Sequence, residues 1–288
     1  MLRTFLFVLA CALALPLDAQ IPVKSYGQEL VDQVIAKNPR LLVIVMHVSP
    51  PNIPNYPIIA SNIGRYGKVA DEDDMRVINT EKTNLEVAHG GTRFEVELVL
   101  RDVTGANIGA LGLVFPFKAG DNKTALEKKG IQIRDYLAKR ILNAGNLIEP
   151  HPYEPLATTK THAQKLVDDA LKKHPEVIVL AMHVTPPKAK DNIILASNFG
   201  RIGKKADDDD MKVINSGEPT VGAYAEGKRY GVKLPLHDIA GKTVGALNVG
   251  FRYKPGDDEK AFRAKAENLR DELRKRIPSV ENLNELDP

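Results

Sequence analysis

Two stretches of the chain carry a continuous apolar run, rich in β-branched residues, that a pair of prolines closes. The runs are LLVIVMHV at residues 41–48 and VIVLAMHV at residues 177–184. Runs of this kind are typical of strands buried in the centre of a sheet. Residues 25–37 and 161–173 carry apolar side chains at helical spacing ahead of a proline, so each strand is predicted to follow a helix.

The next segments also occur twice in the same order. IIASN and ILASN predict a short second strand. Asp71 and Asp207 each predict the start of a short helix, because a carboxylate there accepts hydrogen bonds from free backbone N–H groups. Alternating apolar and polar residues then predict strands that return as hairpins, at 93–100 with 108–117 and at 229–236 with 244–253.

A closing amphipathic helix completes each set of elements. Its apolar face is predicted to hold Leu126, Ile133, Leu137 and Ile141 in the first set, and Phe262, Leu269, Leu273 and Ile277 in the second. Such a helix would cover the sheet. The predicted fold class is therefore α+β, with an antiparallel sheet between N- and C-terminal helices, present twice.

The two sets are copies of one domain. Residues 30–141 match residues 166–277 without a gap at an offset of about 136 residues, with roughly four positions in ten identical. The proline-containing stretch between them predicts a linker. We predict copy one at residues 20–145, a linker at 146–160 and copy two at 161–288.

The first 19 residues have the layout of a secretory signal peptide. Arg3 precedes an apolar run of about 13 residues, which is too short to span a bilayer, and cleavage is predicted after Ala19. Cys11, the chain's single cysteine, lies inside this segment; its lipidation is a minor alternative. The mature chain is expected to begin at Gln20, to carry no transmembrane segment and to be periplasmic or secreted.

The charge balance gives no large field. A net charge of +3 with 27% charged residues does not favour a nucleic-acid partner. Familiar enzyme motifs, including the nucleophile elbow, the H-E-x-x-H zinc motif and the phosphate-binding glycine loop, do not occur in the sequence. The acidic runs could attract calcium, but successive carboxylates on a helix start point in different directions, so neither a metal nor another cofactor is predicted.

The longest repeated stretch, ASNIGRYGKVADEDDMRVIN and ASNFGRIGKKADDDDMKVIN, supplies the first candidate binding residues. Arginine offers a planar fork of donors for a carboxylate or phosphate, lysine a point charge and asparagine an amide. The predicted anion-binding residues are Asn62, Arg65 and Lys68 in copy one and Asn198, Arg201 and Lys204 in copy two. Alternatively, the cations neutralise the neighbouring aspartates and the repetition preserves a loop conformation.

A histidine stands at the same strand end in both copies. His47 and His183 could each donate to a ligand, bind a metal or respond to pH. The alternative is a core histidine bonded to a neighbouring carbonyl. In copy two, Tyr224, Tyr230 and His237 could also line a pocket, and their counterparts in copy one differ, which would suit a chain in which one copy binds and the other supports it.

Together these features resemble the Cache, or extracytoplasmic PAS-like, sensor domains of bacterial receptors. The likeness lies in the element order, the S-N-x-G-R-x-G-K segment and the hairpin V-x-L-P-L-H-D-x-x-G-x-x-V-G-A-L at residues 232–247. Receptors of this kind add a membrane segment and an output domain, and their amino-acid-binding members use a pocket tryptophan. Neither addition is recognised here, and the chain has no tryptophan.

The resemblance implies two tandem sensor domains that bind a small, anionic metabolite without catalysis. A signal would then pass to a separate membrane or signalling protein. Two alternatives stay open: a secreted hydrolase that uses His47 or His183 as a base, and a structural or interaction protein without a small ligand.

Overall fold

The computed structural model describes residues 24–287. The predicted signal peptide and Cys11 lie outside these residues. The described part contains two five-stranded antiparallel sheets, one from each copy, and helices cover both. No helix among residues 24–287 is long and apolar enough to cross a membrane.

Copy one contains three α-helices and five strands. In chain order they are α1 (Tyr26–Lys37), β1 (Val43–Val48), β2 (Ile58–Ser61), α2 (Glu72–Thr80), β3 (Asn84–Ala88), β4 (Arg93–Arg101), β5 (Asn107–Pro116) and α3 (Lys123–Ala138). Short 3-10 helices lie at His89–Gly91 and Gly145–Ile148.

Copy two repeats this order and adds a short helix. Its elements are α4 (His162–Lys173), β6 (Val177–Val184), β7 (Ile193–Ser197), α5 (Asp208–Ser216), β8 (Thr220–Tyr224), β9 (Arg229–His237), β10 (Thr243–Arg252), α6 (Glu259–Arg274) and α7 (Val280–Asn284).

The strand order is the same in both sheets. It reads β2-β1-β5-β4-β3 in copy one and β7-β6-β10-β9-β8 in copy two, and all neighbouring strands are antiparallel. This is the arrangement of a PAS-like domain, and it confirms the predicted α+β class and the tandem pair. Membership of the Cache family in particular stays a prediction.

The two faces of each sheet are covered differently. In copy one, α1 and α3 bury one face in a large apolar core. The other face, which we call the outer face, receives the short helix α2, whose Val77 and Ile78 pack against Val99 and Ala110. Copy two has the same large core beneath α4 and α6. The short helix on the outer face contacts the buried histidines and also forms one wall of the cavity described below.

Side-chain caps start the helices where the sequence predicts. Ser25 and Thr161 accept hydrogen bonds from the first turns of α1 and α4. Asp71 and Asp207 form reciprocal capping boxes with the third helical residue of α2 and α5. The helix-start interpretation of the acidic runs is thus confirmed, because the carboxylates satisfy backbone donors that a helix start leaves free.

The sequence prediction missed one edge strand of each sheet, β3 and β8, and the smallest helices. β3 and β8 pair with one neighbour each, and most of their side chains are exposed, so they lack the apolar pattern that marks a buried strand. The 3-10 helices and α7 span only three to five residues. Segments this short carry no helical periodicity.

Candidate functional site

A buried histidine and aspartate meet on the outer face of copy two. His183 ends β6, and Asp210 lies in the first turn of α5 because Asp207 caps that helix three residues earlier. Nδ1 of His183 lies 3.2 Å from Oδ2 of Asp210, although not in line for a hydrogen bond. Both residues are 3% exposed, so the pair is closed to bulk water.

Asn248 and Lys233 complete this cluster. The amide nitrogen of Asn248 lies 3.2 Å from Nε2 of His183 and 3.3 Å from Oδ1 of Asp210. Since an amide nitrogen can only donate, Nε2 accepts and the neutral ring carries its proton on Nδ1, facing Asp210. Burial lowers the pKa of His183, with Lys233 contributing and Asp210 opposing, which agrees with a neutral ring.

Lys233 balances the charge of Asp210. Its Nζ lies 2.7 Å from Oδ1 of Asp210 and 3.4 Å from Oδ1 of Asp207. Burial alone would lower the pKa of Lys233, but the bond to Asp210 and the two carboxylate charges raise it overall. The outer face of copy two thus places one lysine, the buried carboxylate of Asp210, one amide and a neutral imidazole together, with the exposed carboxylate of Asp207 at the edge.

Copy one uses the same histidine and aspartate in a different setting. Nδ1 of His47 lies 2.9 Å from the carbonyl oxygen of Tyr56 and therefore donates to it. Nε2 of His47 lies 3.4 Å from Oδ2 of Asp74. Burial raises the pKa of Asp74, and the hydrogen bond from the backbone N–H of Asp71 and the nearby His47 ring only partly offset this effect. The core-histidine alternative, in which the ring bonds a neighbouring carbonyl, therefore describes the geometry of His47.

The fourth residue of the cluster reverses its charge between the copies. Glu97 of copy one is equivalent to Lys233 of copy two, and Gly112 is equivalent to Asn248. Glu97 faces Gly112 across neighbouring strands, as Lys233 faces Asn248. Burial, together with the carboxylates of α2 and its cap, raises the pKa of Glu97 to about 7. Copy one therefore has two acidic side chains here and no lysine to balance them.

A cavity of about 220 Å³ opens beside this cluster in copy two. It is bounded by the β6–β7 connection, the second half of α5, the start of β10 and the first residue of α7. Its lining residues are Thr185, Asn192, Ile214, Lys242, Thr243, Val244, Gly245 and Val280. Gly245, which lines the cavity, packs against the backbone oxygen of His183, but none of the four cluster side chains lines the cavity.

At the corresponding position in copy one, Asn107 bridges the short helix and the start of β5. Its Nδ2 donates to the carbonyl of Ile78, and its Oδ1 accepts from the backbone N–H of Gly109, at 2.8 and 3.1 Å. Thr243 occupies the equivalent position in copy two, and its shorter side chain leaves the counterparts of Ile78 and Gly109 on opposite walls of the cavity.

A second residue that differs between the copies also lies at this cavity. Tyr56 packs on the apolar cluster of the outer face in copy one, and Asn192 replaces it in copy two. Asn192 is 7% exposed, and its Nδ2 donates to Oγ1 of Thr185 at 3.3 Å. Its Oδ1 is buried and has no hydrogen-bond partner among the residues that the structure describes. A buried acceptor without a partner is costly and indicates a missing donor.

Another groove, of about 200 Å³, lies between α1 and α3 in copy one. Its lysines are Lys37 and Lys129. Lys37 already donates to the hydroxyl of Tyr136 and lies over its ring. Among residues 24–287, none of the residues that line the groove has a buried side-chain atom without a hydrogen-bond partner. This groove is therefore the weaker candidate for a binding site.

The predicted anion-binding asparagines bind backbone instead. Oδ1 of Asn62 accepts from the N–H of Ile44, and its Nδ2 donates to the carbonyl of Leu42, at 2.8 and 3.0 Å. Asn198 makes the same two bonds to residues 180 and 178, and a third to the carbonyl of Lys139. Both side chains join the loop after the second strand to the central strand, which is a structural use of the amide.

The two arginines of the repeated stretch have different surroundings. Arg201 binds both carboxylate oxygens of Glu149, with Nε and Nη2 at 2.8 and 2.6 Å. Arg65 is exposed and forms no ion pair with any residue in the described range. Both arginines have positive φ angles, 60° and 63°, so the loop keeps its unusual conformation whether or not the side chain is paired. The repetition thus preserves a loop conformation.

The two lysines of the repeated stretch, Lys68 and Lys204, also have different surroundings. Lys68 is exposed and lies 3.4 Å from Asp71, as the charge-neutralisation alternative describes. Nζ of Lys204 lies 5.6 Å from the ring centre of Tyr153, in the predicted linker. The structure therefore places the asparagine, arginine and lysine of copy two against the end of copy one, and the histidines beneath the short helices. A role for these eight residues in binding a ligand stays a prediction.

The aromatic candidates of copy two also fall outside the cavity. Tyr230 is buried in the main core, where it stacks on Phe262. Tyr224 lies on the edge strand β8 below the guanidinium of Arg229. Sequence reasoning missed the cavity residues Asn192 and Thr243. An alignment of the two copies could have found them, because Asn192 stands at the position of Tyr56 and Thr243 at the position of Asn107.

The part of the chain that the structure describes contains no group of three or more His, Cys, Asp or Glu side chains placed to hold a metal ion. The His183 cluster has only two such residues, and a lysine ammonium lies against the aspartate. A cation would be repelled there. The donor set is suited to hydrogen bonding.

Comparisons with known proteins give weak structural likeness. No protein-family model matches the sequence, and no curated protein matches it. Among solved structures, the chain is similar to the inducer-binding domain of the PobR transcription factor from Acinetobacter, in complex with 3-hydroxybenzoic acid. The identity is 10% and the TM-score 0.28, over 40% of this chain and 97% of that one.

Two further likenesses cover more of the chain. The E. coli DhaR(N)–DhaL complex matches at 11% identity and a TM-score of 0.30, over 80% of this chain and 85% of that one. PelD from Pseudomonas aeruginosa matches at 13% and 0.27, over 89% and 79%. Likenesses at these scores carry no argument about function, so the fold assignment rests on the strand order and the candidate site on its own geometry.

Proposed function

We propose that copy two binds a small polar metabolite in the cavity beside His183 and that the chain acts as a binding or sensory module without catalysis. The observation that carries this proposal is the contrast between the copies. Asn107 bridges these positions in copy one, whereas in copy two they border a cavity that is also lined by Asn192, whose buried Oδ1 has no partner among the described residues.

The lining residues indicate the chemistry of the ligand. Oδ1 of Asn192 is free to accept from a hydroxyl or amine, and Lys242 supplies a positive charge for an anionic group. The hydroxyls of Thr185 and Thr243 add adaptable partners. The volume is below the roughly 300–1,000 Å³ of sites for drug-sized ligands, which favours a small metabolite. An anionic ligand, as the sequence predicts, fits this set.

The proposal includes export and a separate partner. The arrangement of Arg3, the apolar run and Ala19 supports cleavage before Gln20 and a periplasmic or secreted location. A signal from the bound state would pass to a separate membrane or signalling protein. N-terminal sequencing of protein from the extracytoplasmic fraction tests export; a chain that retains Met1 in the cytoplasm would contradict it.

The hydrolase alternative has no specific support in the geometry. A catalytic base must reach its substrate, yet His47 and His183 are each 3% exposed. Both ring nitrogens of each histidine face protein groups within 3.4 Å. The histidines are therefore poorly placed to act as proton carriers.

The test exchanges the residue that opens or closes the cavity. Native mass spectrometry of the purified protein should show a retained small molecule, and a melting screen with acetate, succinate and inorganic phosphate should find a stabilising anion. Thr243→Asn should abolish both effects, because it places the bridging amide of copy one in copy two.

The matched control is Asn107→Thr, the reverse exchange in copy one. It should lower stability but leave ligand binding by copy two intact. If Thr243→Asn binds as tightly as the wild type, the cavity is not the site. If no molecule is retained and no anion shifts the melting temperature, the binding proposal fails altogether.

A further inference from the structure

The two copies meet through a surface of copy two that is almost fully buried. We call residues 198–204 the copy-two docking loop and residues 62–68 the copy-one docking loop. The copy-two loop contacts the end of copy one, by which we mean residues 139–149 and so the first part of the predicted linker (146–160), and also the rest of that linker. Phe199 and Ile202 are 5% and 1% exposed and pack with Val103, Leu142 and other apolar residues of both copies.

Polar contacts fix the same interface. Asn146 donates to the carbonyl of Phe199 at 3.2 Å and also holds Glu149, which pairs with Arg201. The ring of Tyr26 lies so close to Gly200 that a Cβ there would be 2.6 Å from it. The interface is therefore a specific fit between one copy's end and the next copy's loop.

The copy-one docking loop presents the same features to solvent. Ile63 and Tyr66, at the positions of Phe199 and Ile202, are 43% and 60% exposed. The neighbouring Leu42 and Val69 are also large, apolar and exposed. Arg65, at the position of Arg201, is exposed and makes no ion pair with another residue in the described range. A concentrated apolar surface of this kind with a charge at its centre is typical of an interaction site.

The complementary half of the interface also recurs, at the end of copy two. Asn282 and Glu285 stand at the positions of Asn146 and Glu149. Nδ2 of Asn282 donates to the carboxylate of Glu285 at 2.9 Å, as Asn146 does to Glu149 at 3.1 Å. The carboxylate is thus held ready, and Glu285 is exposed and forms no ion pair with any residue between 24 and 287.

Two more features of the copy-one end have counterparts there. Ile239 is 59% exposed at the position of Val103, which is buried in the interface between the copies. Nε2 of His162 lies 3.4 Å from the carbonyl of Arg276, as the hydroxyl of Tyr26 bonds the carbonyl of Arg140. The end of copy two therefore repeats the held carboxylate, the amide and one apolar side chain of the copy-one end, although Pro278 stands at the position of Leu142.

We propose that the end of copy two in one molecule docks on the copy-one docking loop of a second molecule of this chain. Glu285 then pairs with Arg65 of the second molecule, and Asn282 donates to its Ile63 carbonyl. The interface repeats the one between the copies, so the association is head-to-tail and leaves a free loop and a free end on every pair.

The intermolecular contact should be weaker than the internal one. The internal interface is favoured because the linker keeps its halves at high effective concentration. We therefore expect reversible, concentration-dependent oligomers.

The test measures the mass of the purified full chain by sedimentation velocity over a wide concentration range. The wild type should shift from monomer to larger species, and Arg65→Glu and Glu285→Arg should each weaken association by at least about tenfold, because like charges would face each other. Arg65→Glu combined with Glu285→Arg in one chain should restore it. Mixing the two single variants should give heterodimers.

Matched controls change charge outside the interface. Arg76→Glu on α2 and Glu218→Arg between α5 and β8 are exposed exchanges of the same sign and should leave association unchanged. If the wild type stays monomeric at all concentrations, the proposal is wrong. Residues 1–23 or a different protein would then be the partner that covers the copy-one docking loop. Oligomers that Arg65→Glu and Glu285→Arg leave intact overturn it as well.

Discussion

The guanidinium of Arg201 in copy two binds both carboxylate oxygens of Glu149, which lies 52 residues earlier at the end of copy one. The two side chains are 24% and 21% exposed. Burial alone would raise the pKa of Glu149, but the hydrogen bonds and charge of Arg201 lower it overall. One ion pair therefore helps fix how the copies meet, and its equivalent in copy one is absent.

Arg201→Ala should lower the free energy of unfolding by about 1–3 kcal/mol, between the values for exposed and buried pairs. Arg65→Ala is the matched control and should change it by less than about 0.5 kcal/mol. Because the pKa of Glu149 is lowered in the folded state, the contribution is present above the usual carboxylate range and disappears as the pH falls. Urea unfolding at pH 7 and pH 3 measures the difference.

The same two variants test the predicted anion-binding role of the arginines. Loss of ligand affinity in Arg201→Ala without loss of stability would support that role and contradict the docking role. Loss of stability with unchanged binding per folded molecule would place Arg201 in the interface alone.

Glu97 should make the stability of copy one depend on pH. Its pKa is about 7 in the folded state, above its unfolded value, so its favourable contribution is complete at low pH and is lost as the pH rises through 7. Glu97→Gln should therefore stabilise the protein by about 1 kcal/mol at pH 8, a value reduced for partial solvent screening. At pH 4.5 it should have little effect. Identical shifts of the melting temperature at both values would contradict the assignment.

His183 should give the opposite dependence. Burial lowers its pKa in the folded state, so stability is complete above the unfolded value of about 6.5 and falls as the pH drops below it. His183→Gln should cost stability at pH 8, where it breaks the buried cluster, but it should remove part of the decline towards pH 5. Chemical denaturation across this range, followed for the wild type and the variant, measures both effects.

Gly245 should be intolerant of a side chain. A Cβ at this position would lie 2.0 Å from the backbone oxygen of His183, so β6 and β10 would have to separate. Gly245→Ala should cost about 1–3 kcal/mol or more. Gly222→Ala is the control, because a Cβ there meets no atom within 4 Å. Similar melting temperatures for the two variants would mean that the strands adjust without cost.

The local pattern of the chain determined most of the fold. Apolar periodicity located the central strands and the flanking helices, and the gapless repeat identified two copies of one domain. Asp71 and Asp207 marked helix starts because capping depends on residues only three positions apart. Features that depend on near neighbours in sequence can be predicted without knowing the rest of the chain.

The tertiary structure decided the surroundings of every candidate residue. Arg65 and Arg201 occupy equivalent positions with the same backbone conformation, yet only Arg201 lies opposite a glutamate, because the end of copy one folds over copy two. The cavity likewise depends on the length of one side chain. Asn107 reaches the short helix about 30 residues earlier in the chain, whereas Thr243, at the same position in copy two, lines a cavity. A side chain's partner is set by distances between elements, and the repeat pattern by itself contains no information about those distances.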